Sequence, residues 1–85
     1  MKKREWLNFL KSFSTEITKQ GKDTYMLVFR FAPSKNQEDM IANMRAGRAK
    51  VEAIKAQILS AGNSEIERIG DPYKDMMFVT YSKKG

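Results

Sequence analysis

Apolar residues recur along this chain with two different periods, and the changes of period mark out its elements. Across residues 36–61 they fall at the three- and four-residue intervals of a helix. Met40, Ile41, Met44, Gly47, Val51, Ile54, Ile58 and Leu59 gather into one broad stripe. Ala42, Ala46, Ala49, Ala53 and Ala56 form a second stripe on the opposite side, spaced four, three, four and three. A surface helix needs one apolar face. A second, made wholly of alanine and bordered by polar residues, predicts close approach by another helix. Two candidates fit, the N-terminal helix of this chain or the same helix of a second subunit, and two-fold pairing is favoured as the commonest oligomeric contact. Ser34 followed by Gln37 has the form of a capping box, Glu38 and Asp39 suit the first turn, and Gly62 is a natural stop.

A period of two takes over in residues 24–31. Tyr25, Leu27, Phe29 and Phe31 alternate onto one face and Met26, Val28 and Arg30 onto the other. Because the second face is also mostly apolar, this strand is expected to be inner and covered at least partly on both sides. Pro33 ends it. Residues 65–69 and 76–82 read as two more strands, separated by a turn over residues 70–75 in which Asp71-Pro72 is the initiating pair. Ahead of these, Trp6, Phe9, Leu10 and Phe13 recur at helical spacing over residues 4–13. Residues 14–20 are rich in β-branched side chains, which favours a strand over a continuation of the helix. Gly21-Lys22-Asp23 reads as a turn.

The resulting order, α-β-β-α-β-β, predicts an α+β fold: a short N-terminal helix, then β-β-α-β-β, with a four-stranded antiparallel sheet packed against one long helix. Phe29, Phe78, Val51 and Ile58 are the expected core between helix and sheet. Met40 and Met44 read as core fillers, whereas Met26 and Met77 suit either a core or an adaptable surface. At 85 residues the chain makes a single domain over residues 1–85.

Composition narrows the chemistry. The chain has no cysteine and no histidine, which removes disulfides, thiolate nucleophiles, the usual zinc ligand sets and imidazole acid–base chemistry. Asp71 and Asp75 supply fewer oxygens than a cation site usually needs, and Glu65 and Glu67 read as solvent-facing. Neither phosphate-binding glycine motif is present. No catalytic role, cofactor or metal is expected. The apolar runs are too short to span a bilayer. Met1-Lys2-Lys3-Arg4 resembles the start of a signal peptide, but Asn8 and Lys11 interrupt the apolar stretch that should follow, so a cytoplasmic location is expected.

The net charge of +6 attracts phosphate backbones, anionic lipid or acidic proteins. Lys2, Lys3 and Arg4 at one end and Lys83 and Lys84 at the other are little compensated by acids, and Trp6 and Tyr81 are their nearest aromatics. Cations interleaved with rings suit single-stranded nucleic acid, provided the rings are free to stack. Arg45, Arg48 and Lys55 line one margin of the long helix, with Glu52 placed to pair with Arg48 and Lys55. The expected function is a small, basic, non-enzymatic, nucleic-acid-associated regulator. It would act as a homodimer, binding through Lys2, Lys3, Arg4, Arg45, Arg48, Lys55, Lys83 and Lys84 and dimerising through the alanine stripe. The alternative is a protein-binding inhibitor or adaptor, of the kind viruses and mobile elements encode, that docks on an acidic or nucleic-acid-handling partner.

Overall fold

Strand periodicity sorts the side chains of the sheet onto two sides, and the helices decide which of them is sealed. A computed structural model describes residues 1–73 and 75–85; Lys74 and the side chain of Pro72 lie outside the described residues. The elements are α1 (Lys3–Lys11), β1 (Glu16–Gly21), β2 (Thr24–Arg30), α2 (Gln37–Ser60), β3 (Ser64–Tyr73) and β4 (Met76–Lys83). The strands form one antiparallel sheet in the order β1-β2-β4-β3. Residues 14–20, ambiguous in sequence, yield a strand because β2 offers a partner edge, with Ile17 opposite Leu27.

Across the central pair, Tyr25 faces Tyr81, Leu27 faces Val79 and Phe29 faces Met77. These residues point to one side, where Leu27, Val79 and Tyr81 are fully buried. Both helices lie on that side. Trp6 and Leu10 of α1 join Val51, Ile54 and Ile58 of α2 in a single core. Burying each such side chain is worth about 1.5–3 kcal/mol. Trp6 also donates from Nε1 to the buried Ser64 Oγ at 2.8 Å and meets Tyr25 edge to face. The indole thereby anchors α1 to the start of β3 without leaving its polar atom unsatisfied.

The opposite side carries no helix among the described residues, and the partial cover expected over Met26 and Val28 comes from the sheet itself. Phe78 is the correction: it lies on this open side, not between helix and sheet. Met26, Val28, Met76 and Phe78 are half-buried there. Their cover is made by long polar side chains of the sheet itself. Arg68 lies over the Phe78 ring, 5.8 Å from its centroid, and Arg30 grips Glu16 through two bonds of 2.7 and 3.0 Å. Stems of this kind shield apolar surface while their charged heads stay wet. Gly70 completes the arrangement, since a Cβ there would stand 2.3 Å from Phe78 Cζ.

Three local expectations also shift. Asn36, in extended backbone, caps α2 by accepting from Asp39 N–H at 2.9 Å. Ser34 sits too early for that role, and its Oγ accepts from Asn43 Nδ2 instead. β3 runs on through Tyr73, into the expected turn, with register shifts at Ile66/Arg68 and Gly70/Tyr73. Finally, α2 has 24 residues against 8 in β4, about 36 Å against about 27 Å. Its first turns are less buried than its middle. Met40 and Met44 are only half-buried, Ile41 stays 44% exposed, and Met77 is the methionine that enters the core. Gly62 ends the helix region with φ +82°, in the left-handed region expected of it.

Candidate nucleic-acid interface

Antiparallel pairing brings distant cations together. Ser64 pairs with Lys83 and Thr24 with Ser82, so β4 ends beside the β1–β2 turn and the start of β3. Trp6 fixes the first turn of α1 at the same place. Lys3 Nζ donates to the Lys22 carbonyl at 2.7 Å and approaches the Asp23 carboxylate at 3.4 Å. Lys83 N–H donates to the Asp23 carbonyl at 2.9 Å, Lys84 N–H to the Asn63 carbonyl at 3.0 Å, and the terminal amine to Asn63 Oδ1 at 3.4 Å.

Lys2, Lys3, Arg4, Lys83 and Lys84 thus share one end of the molecule. Lys22 joins them, a residue that sequence reasoning missed because the turn was legible but its neighbours were not. Lys3 is paired with Asp23; the other cations of this end make no ion pair among the described residues.

The margin of α2 behaves differently. Arg48 pairs with Asp71, reaching across to β3 rather than along the helix to Glu52. Lys55 pairs with Glu52 at 2.9 Å, and its side chain is only 15% exposed. Arg45 has no ion-pair partner among the described residues, but it lies about 22 Å along the helix axis from Ser60, at 1.5 Å per residue. The structure therefore does not bring Arg45, Arg48 and Lys55 into the terminal cluster, and two of these three charges are already compensated.

Both aromatics near the terminal cations are fully buried, Trp6 and Tyr81 alike. Neither ring can stack on a base. The Tyr81 hydroxyl has no hydrogen-bond partner among the described residues. Its pKa is pushed well up, first by burial and then by the nearby Glu52 carboxylate, so the phenol stays neutral at ordinary pH.

Ala42, Ala46, Ala49, Ala53 and Ala56 are all exposed. The N-terminal helix does not fill this stripe, because the sheet has already taken up its apolar residues. No group of three or more acidic residues able to hold a metal ion occurs among the described residues, and none of their helices is long and apolar enough to cross a membrane. No protein-family model, curated protein or solved structure matches the chain.

Proposed function

We propose that this protein is a non-enzymatic module that binds nucleic acid by its phosphate backbone, through the basic end built from Lys2, Lys3, Arg4, Lys22, Lys83 and Lys84. One observation carries the reading: residues from the two ends of the chain and a turn converge, and Lys3 is the one of them with an acidic partner among the described residues. Such a surface supplies electrostatic attraction with little sequence information. With Trp6 and Tyr81 buried, binding by base stacking has no support at this end. Single and double strands are expected to bind with similar affinity.

The test is a fluorescence titration against short DNA and RNA at several salt concentrations. If about four phosphates are engaged, log K falls with log salt at a slope of roughly −3 to −4. The double variant Lys83→Glu/Lys84→Glu is expected to weaken every nucleic acid alike and to flatten that slope. Absence of binding at low salt, or indifference to the double variant, overturns the reading.

The same reading includes self-association through the outer face of α2. An antiparallel pair with its two-fold axis near Gly47 and Arg48 sets Arg45 against Glu52 of the partner subunit, twice over. A parallel pair sets Arg45 against Lys50 of the partner subunit. Charge therefore favours the antiparallel form. Ala49→Glu places an unpaired charge in that seam. It is expected to make the protein monomeric in analytical ultracentrifugation with its helical circular dichroism kept. A wild type that is already monomeric ends this part of the reading.

A further inference from the structure

At the end of the molecule away from the terminal cations, a groove of about 380 Å³ opens between the α1–β1 connection and the middle of α2. Ligand sites span about 300–1,000 Å³, so this one has room for one or two side chains rather than a large cofactor. Phe29, Val51 and Ile54 contribute to its lining and belong to the core beneath it. Phe31 forms a wall because α2 carries glycine at position 47: a Cβ there would stand 2.1 Å from Phe31 Cδ1. Lys11 and Lys50 come to the rim from opposite banks. Neither makes an ion pair among the described residues, whereas Arg30 at the same rim is neutralised by Glu16.

Two of the three hydroxyls that line the groove are already bonded. Ser12 Oγ donates to the Phe9 carbonyl at 2.6 Å. Ser14 Oγ donates to the Val28 carbonyl at 2.6 Å and accepts from Glu16 N–H at 3.1 Å. A nucleobase would find little with which to pair its edges, whereas an apolar side chain makes no such demand. Two unpaired lysines above an apolar floor complement a carboxylate-bearing chain with an apolar anchor.

We infer that this groove docks an acidic peptide segment of a partner protein, with one aromatic or large aliphatic side chain in the cavity and flanking carboxylates on Lys11 and Lys50. The inference does not rest on the nucleic-acid reading, since it uses a different surface and different residues.

The probe is a short labelled peptide of aspartates around a central phenylalanine, titrated by anisotropy into the full chain. Its controls are the same peptide with serine at the centre, and an oligothymidylate of equal charge. The phenylalanine peptide is expected to bind at least tenfold more tightly than the serine peptide, the value of burying one aromatic side chain. It should shift the amide resonance of Gly47. Lys11→Glu/Lys50→Glu, both at exposed positions, should weaken it at least tenfold, whereas Lys83→Glu/Lys84→Glu should leave it within twofold. Equal binding of the serine peptide means charge alone is read and overturns the proposal. So does an oligothymidylate that displaces the peptide and is itself lost in Lys11→Glu/Lys50→Glu, since the groove would then be a nucleic-acid site. A groove filled by a second copy would show as self-association abolished by Lys11→Glu/Lys50→Glu, with no peptide binding, and is equally fatal.

Discussion

The two faces of the sheet are built from the same strands and nearly the same kinds of residue, yet they are covered by different means. On one, Leu27, Val79 and Tyr81 are sealed beneath α1 and α2. On the other, Met26, Val28, Met76 and Phe78 keep contact with solvent under Arg68 and the Arg30–Glu16 pair. Apolar composition alone does not separate the two. What separates them is where the helices have apolar residues to spare, and both helices spend theirs on one side.

Paired substitutions across the sheet test that difference most strongly. Phe29→Ala, on the helix side, is expected to lower stability by about 3–5 kcal/mol, read from the denaturant midpoint. Phe78→Ala, on the open side, should cost less, about 1–3 kcal/mol, because part of that ring's surface stays in contact with water. Equal costs would mean that something covers the open face in solution.

The polar staple beneath α1 comes next in size. Ser64→Ala removes the acceptor for the Trp6 indole and leaves its N–H buried without a partner, a loss of about 1–3 kcal/mol. An unchanged melting temperature would mean that the indole finds another acceptor.

Tyr81→Phe removes a hydroxyl with no hydrogen-bond partner among the described residues and should change stability at neutral pH by less than about 1 kcal/mol. Its effect appears in alkali. Burial raises the folded-state pKa of this phenol above that of the unfolded chain, near 10. Stability from keeping it neutral is complete below about pH 10 and falls as pH rises beyond it. The phenylalanine variant should therefore lose less stability than wild type between pH 9 and 11, as melting curves across that range would register. Arg68→Ala, which strips the cation from the Phe78 ring, is the smallest change, about 0.5–1 kcal/mol. A larger cost would show the open-face cover to be part of the core.

The sequence by itself determined most of the elements and their order, because hydrophobic period is a local property: β2, β3, β4 and both helices were legible, as were the paired faces of β2 and β4, whereas β1 was ambiguous until β2 offered it a partner edge. It also placed the alanines on one side of α2 and identified the terminal lysines as poorly compensated. Which face the helices cover was not legible, since Phe78 and Phe29 look alike until Gly70 and Arg68 are seen beside one of them. Nor was the choice of Asn36 over Ser34 as cap, which depends on where the loop delivers the chain to the helix. The partners of charge were equally hidden: Glu52 lay at the right spacing for Arg48, but Asp71 of a neighbouring strand holds it. Only tertiary structure decided that Lys22 joins both ends of the chain, and that Lys11 and Lys50 flank an apolar groove. Contacts between residues far apart in sequence are set by sheet register and helix placement, and no local pattern encodes them.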